Sequence, residues 1–190
     1  LVTRAATRQI PSATIASRTR RVLGIDPGTA VTGYGVVDYD GRTPVLLECG
    51  VIRTNAKDPL PSRLQNIHDG ITELILRHKP DSVAVEGVFY AKNVRTTIVL
   101  GHARGVILLA AQQAALTIHE FPPAEIKKAI TGTGAATKQQ VQFMVTKLLR
   151  LKAAPQPADA ADGVAAALCA CMAPAFAVLR IPSPFPRSRP

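Results

Sequence analysis

The stretch VLGIDPGTAVTGYGVVDYD, residues 22–40, decides how the fold is read. An apolar run ends on a carboxylate, Asp26, and Pro27-Gly28-Thr29 turn the chain at once. Two chemistries use such a strand end. One wraps backbone amides around a nucleotide phosphate; the other holds a metal ion on the carboxylate. The stretch alone leaves both open, so the partners of Asp26 must be sought further along.

Working outward, residues 22–26, 33–39 and 45–53 read as strands, and Asp40-Gly41 is a hairpin-type turn signal between the last two. These three predict an antiparallel meander. Leu64, Ile67, Ile71, Leu74 and Ile75 recur at helical steps over 61–78, and Lys79-Pro80 closes that helix. SVAVEGVF (82–89) predicts a short buried strand, followed by a long helix from Asn93 to Ala115 and a strand, LTIHEF. Helices at 123–130 and 137–151 flank the loop TGTGAAT, and a last helix starts at Asp159 after AAPQPA. The fold class expected is α/β, with a mixed five-stranded sheet of three antiparallel and then parallel strands flanked by helices. No repeats and no second domain are visible.

The 190 residues suffice for one domain with a sizeable core. Residues 1–20 are expected to be a disordered basic extension, 21–174 the folded domain, and 175–190 a proline-rich flexible tail. The acid-free, Arg/Ser/Thr-rich start also has the composition of a transit peptide, although it lacks a clear amphipathic face. The apolar stretch 93–116 contains Arg95, His102 and Arg104, so it reads as a buried helix and not a membrane span. Cys49, Cys169 and Cys171 lack metal-ligand spacing; Cys169 and Cys171, in an alanine-rich apolar stretch, fit small buried thiols, and a reducing cytoplasm suits the set.

A net charge of +10 suggests a polyanionic partner, but its distribution is more informative. Both termini are basic. Residues 22–86 are net −3, whereas 87–158 carry nine basic groups against Glu120 and Glu125, net +7. One part of the core is therefore suited to track phosphates.

Two acids occupy costly positions: Asp26 ends the first strand and Glu86 stands at the end of the fourth. If those strands are neighbours, both carboxylates leave the sheet side by side, and a divalent cation relieves their repulsion. Asp159 and Asp162 lie three apart on one face at a helix start. Helix capping is the plain explanation for either one. As a pair ahead of an alanine-rich helix able to pack closely on a sheet, they become candidate ligands. Four carboxylates suit two hard cations, Mg²⁺ best, with Mn²⁺ as a substitute. Two such ions about 4 Å apart support in-line phosphodiester hydrolysis without a protein nucleophile. His68, His78, His102 and His119 form no evident ligand pair.

The sequence from Val22 to Met172 resembles the RuvC family of Holliday-junction resolvases, which have an RNase H-like fold. LGIDPGTAVTGYGVV, LPSRLQNI, VAVEGVFYAKNVRT, LGHARGV and PQPADAADGVAAAL carry the likeness, in order. The resemblance implies that Asp26, Glu86, Asp159 and Asp162 are magnesium-binding catalytic acids, and that Phe89 is an aromatic that helps open the junction. It implies that Lys127 and Lys138 lie near the scissile phosphate. It also implies a homodimer acting on four-way junction DNA by paired cutting, with the branch-migration proteins RuvA and RuvB as partners. Gly87 departs from the pattern, since many relatives carry a larger polar residue there, and some place histidine at the Asp159 position.

Independent physical readings run alongside. Phe89 is one of eight Phe and Tyr residues in a chain without tryptophan, and an exposed aromatic beside a nuclease site can stack on a base. A core position is the alternative. Lys92 and Arg95 suit backbone-phosphate contacts, and plain solvated surface charge is the alternative for Arg95 and Lys128. Lys138 begins a helix whose amides can also face a phosphate. The long helix 93–116, apolar around much of its circumference, is a candidate dimer interface buried on two sides. An actin-like ATPase shares the fold and an Asp-x-Gly-Thr loop, but the sequence offers no second nucleotide-binding half. A nuclease acting on RNA, or a silent junction-binding protein, are nearer rivals; four acids argue against silence.

Overall fold

The computed structural model describes residues 19–87 and 94–173. Five strands, β1 (Arg20–Asp26), β2 (Val31–Tyr39), β3 (Pro44–Arg53), β4 (Ser82–Glu86) and β5 (Thr117–Phe121), form one sheet in the order β3-β2-β1-β4-β5. β2 runs antiparallel to both β1 and β3, while β1, β4 and β5 are parallel. The meander and the predicted neighbourhood of the first and fourth strands are both present. Their turn is built as its sequence requires: Gly41 takes φ 94°, and Asp40 Oδ1 accepts from the amides of Arg42 and Thr43.

Side-chain alternation divides the sheet into two faces. Leu23, Ile25, Val36, Val83 and Val85 point toward α1 (Leu60–His78) and α2 (Val94–Gln113). Val22, Val37 and Ala84 point toward α3 (Pro123–Thr131), α4 (Lys138–Leu148) and α5 (Ala158–Met172). Asp26 is two residues beyond Gly24, and Glu86 two beyond Ala84, so both acids belong to the second face.

Helix α1 buries Ile67, Ile71, Leu74 and Ile75, each contributing about 1.5–3 kcal/mol by leaving water. It stops at Lys79, whose left-handed φ of 48° lets its amide donate to the Ile75 carbonyl, ahead of Pro80. Glu48 of β3 ties the sheet edge to this helix, accepting from Tyr34, Arg77 and His78 at 2.8–2.9 Å.

α2 is long and apolar enough to cross a membrane by length and composition. Here it packs on α1 through Ala103, Ile107, Ala110 and Ala111, and Arg104 pairs with Glu120 of β5 at 2.7 Å. Burial on two sides is met on one side only. The stripe Val94, Ile98, Gly101, Gly105, Leu109 faces outward, and among the described residues nothing lies within 4 Å of where either glycine would carry a Cβ. Cys169 and Cys171 are buried and unpaired, as expected of small core thiols. The predicted N-terminal extension and C-terminal tail lie outside the described residues, apart from the extension's last two positions.

Candidate active site

The site is made by a close approach. Gly24 of β1 pairs directly with Gly35 of β2, and Asp26 pairs with Gly33. A Cβ on Gly24 would overlap the Gly163 carbonyl and the Ala167 amide of α5. One on Gly33 would overlap the Asp159 carbonyl, and one on Gly163 would overlap the Tyr34 backbone. Three glycines on one sheet face and one on the helix thus let α5 lie backbone against backbone on β1 and β2. The helix's small residues, Ala160, Ala161, Ala165, Ala166 and Ala167, are buried along the same contact. That seam carries Asp159 and Asp162, in the first turns of α5, to the strand end where Asp26 emerges.

Among the described residues, Asp26, Asp159 and Asp162 each offer a carboxylate oxygen within 4.8 Å of the other two. Glu86 stands outside this trio but lines the same cleft of about 250 Å³, together with Asp26, Asp162, Lys127 and Lys138. Pro123, Ile126, Val141 and Ala165 supply its apolar walls. Lys138 reaches from α4 to place Nζ 2.6 Å from Asp162 Oδ2 and 3.3 Å from Asp159 Oδ1. Thr137 caps that helix: its side chain accepts from the Gln140 amide, and the Gln140 side chain accepts from the Thr137 amide. The Gln140 amide is therefore engaged within the protein, which narrows the predicted phosphate contact at this helix start to Lys138 and the remaining amides.

Electrostatics follow from crowding. Burial, then the charges of Glu86 and Asp162, push the Asp26 carboxyl up to about 8, against a partial offset from Lys138. Glu86 is raised by burial and by Asp162, and Asp162 is raised by burial against its bond to Lys138. The Asp162 hydrogen bond in turn raises the Lys138 ammonium above its ordinary value. A cluster that resists full ionisation in this way is what a divalent cation would relieve. The donor set, carboxylate oxygens from three backbone elements, is hard and suits an oxygen-seeking metal.

Of the residues singled out from sequence, Asp26, Glu86, Asp159, Asp162, Lys127 and Lys138 come together here. Arg95 lies in the exposed first turn of α2, away from the cleft's lining. Phe89 and Lys92, and the end of the predicted fourth strand beyond Gly87, lie outside the described residues. A Cβ at Gly87 would stand 3.4 Å from the Phe121 carbonyl, so the departure there does not arise from crowding that only glycine could tolerate. The sequence reading missed the seam, although glycine at 33 and 35, two apart on one strand face, was its visible signal. It also missed the Thr137/Gln140 capping box, which is legible as Thr-x-x-Gln.

Comparison with known proteins agrees with this geometry. The family model described as crossover junction endodeoxyribonuclease RuvC matches residues 22–170. The crossover junction endodeoxyribonuclease RuvC of Pelotomaculum thermopropionicum is 47% identical over 148 residues, covering 78% of this chain and 90% of that protein. Thermus thermophilus RuvC superposes with a TM-score of 0.73 at 36% identity, covering 78% of this chain and 92% of that one. The same protein in complex with Holliday junction substrate gives 0.72 at 34% identity, covering 78% and 91%.

Proposed function

The chain belongs to the RuvC family of crossover junction endodeoxyribonucleases, and from that premise we propose that it resolves Holliday junctions by paired, Mg²⁺-dependent phosphodiester hydrolysis. The observation that carries the reading is the convergence of Asp26, Glu86, Asp159 and Asp162 with Lys127 and Lys138 around one cleft.

Asp26, Glu86, Asp159 and Asp162 would hold the metal, with Mn²⁺ a workable substitute. Bound divalent ions supply acidification of the attacking water and stabilisation of the departing 3′ oxygen. Each residue of the chain then has a task. The four carboxylates fix the charge where the ends of β1 and β4 meet the start of α5, and the apolar walls Ile126, Val141 and Ala165 limit water behind them. Lys138 and Lys127 hold the phosphate of the strand to be cut. Phe89 stacks on an opened base, while Lys92 and Arg95 hold flanking backbone without reading sequence. The hydrolysis adds water across the P–O3′ bond, leaving a 5′ phosphate and a 3′ hydroxyl.

Two strands of like polarity must be cut, and a two-fold homodimer supplies two sites. The outward stripe of α2, with open space at Gly101 and Gly105, supports that pairing. Residues 21–174 form the nuclease domain, which acts in the cytoplasm with RuvA and RuvB as its branch-migration partners. A cleavage assay with Mg²⁺ on a four-way junction, a duplex and an RNA–DNA hybrid tests the function. Junction preference with ligatable nicks is the expected result; hybrid preference would replace it with a ribonuclease.

A further inference from the structure

The hairpin of α3 and α4 has two sides. One side gives Lys127 and Lys138 to the cleft already described. The other opens a second, larger groove of about 580 Å³, walled by Thr131, Thr133, Gln139, Gln140, Phe143 and Met144. Nothing in the catalytic reading uses it. Phe143 is 59% exposed, and Lys147 holds its ammonium 5.4 Å from the centre of the Phe143 ring.

A ring left more than half exposed at the lip of a groove contributes little burial to this fold, so its position beside an ammonium is informative about a partner. Around it, residues 123–152 carry six basic groups and a single acid, Glu125. The groove wall itself has no charged side chain, only hydroxyls, amides, a thioether and the ring. A flat apolar platform with a neighbouring ammonium, set in a cationic and nearly acid-free surface, matches a nucleic-acid strand. Stacking serves a base or sugar, and the ammonium serves the next phosphate.

The groove also continues from the cleft. Thr131 stands one turn after Lys127, its Oγ1 donating to the Lys127 carbonyl at 2.8 Å, and Gln139 follows Lys138 directly. A strand passing the two catalytic lysines meets these residues at the edge of the hairpin.

We propose that the Phe143 groove is a second DNA-strand site, in which Phe143 stacks on a nucleotide flanking the cleavage point and Lys147 holds its phosphate. The site is sequence-tolerant and extends the grip of the nuclease beyond the scissile position. It rests on the proposed action on junction DNA.

The test measures binding of the full chain to a four-way junction in EDTA, where cleavage cannot proceed, by fluorescence anisotropy across a salt series. Phe143→Ala and Phe143→Leu should each weaken binding by about fivefold or more, while Phe143→Tyr retains it, because a ring and not mere apolarity is needed. Lys147→Ala should lower the salt slope by about 0.7–0.9, one phosphate contact. Phe143 is exposed, so unchanged melting temperatures are expected and will separate binding from folding. If Phe143→Ala and Phe143→Leu bind within twofold of wild type and the Lys147→Ala slope is unchanged, the groove is not a DNA site. Wild-type junction cleavage intact alongside that result would leave the proposed function standing and overturn only the groove's role. A wild type that neither binds nor cuts junctions would instead overturn the function itself.

Discussion

The Lys138 ammonium sits 2.6 Å from Asp162 and 3.3 Å from Asp159, at the point where three carboxylates converge. It is the chain's own counter-ion, half exposed and supplied by α4 to a cluster built by β1 and α5. Without it, Asp162 would lose the hydrogen bond that offsets its burial.

Lys138→Ala should therefore have two separate signatures. Metal-free protein should lose thermal stability at neutral pH, since the acids then repel without a partner. Single-turnover cleavage should fall about 10²- to 10³-fold, as for removal of one donor to a reacting anion. Lys127→Ala should slow cleavage as well with little change in melting temperature. Cleavage rates equal to wild type for both variants would return these lysines to ordinary surface charges.

Asp26→Asn should abolish cleavage and leave junction affinity within a few-fold, because binding rests on the cationic surface. It should also change the pH profile of the metal-free protein. The Asp26 carboxyl titrates near 8 when folded, against an ordinary value of 3.8. The native state thus holds a proton that the unfolded state has released, and stability falls as pH rises from about 4 through about 8. Asparagine cannot release one. Metal-free Asp26→Asn should melt several degrees above wild type at pH 8 and show no such advantage at pH 4, as calorimetry can read.

Gly24→Ala is the sharpest probe of the helix–sheet seam. Its methyl would enter the space of the Gly163 carbonyl and the Ala167 amide, main-chain atoms that no rotamer change can move. A cost of about 3 kcal/mol or more follows, at the upper end for overpacking. The variant should also lose whatever melting-temperature gain Mg²⁺ gives wild type, since α5 carries two of the four acids. A normal metal-induced shift would show that the helix reaches its place by another route.

Ile98→Glu addresses the outward stripe of α2. Ile98 is exposed in the single chain, so the fold should survive the change. A charge there should convert the proposed dimer to monomer in sedimentation velocity and uncouple the two cuts, leaving singly nicked junctions. Dimers at wild-type concentration would move the interface elsewhere.

Much of this was readable beforehand, for physical reasons. Alternation and turn residues marked the meander, and the cost of a carboxylate in an apolar strand marked Asp26 and Glu86. Helical spacing put Asp159 and Asp162 on one face. What pattern could not supply was contact between distant elements. Gly33 and Gly35 mark one strand face, but the register that sets Gly24 against Gly35 is invisible until β1 and β2 are paired, and only then do the three read together as a landing strip for α5. Likewise Lys138 reads from sequence as a phosphate-facing charge. Its bonds to Asp159 and Asp162 depend on α4 crossing near the start of α5. The apolar spread around α2 suggested burial on two sides; one side packs on α1 and the other is the exposed stripe, because periodicity cannot tell an interior from a surface awaiting a second subunit.

The glycine seam has a further meaning for how the site keeps its dimensions. Where Gly24, Gly33 and Gly163 meet, no side chain stands between α5 and the sheet, and the gap there is set by the thickness of two main chains. That thickness is the same whatever residues surround it. The spacing between the acid of the strand and the acids of the helix is thus a gauge block, not an adjusted fit. Sequence elsewhere in the domain can drift without recalibrating the distance over which the site must work.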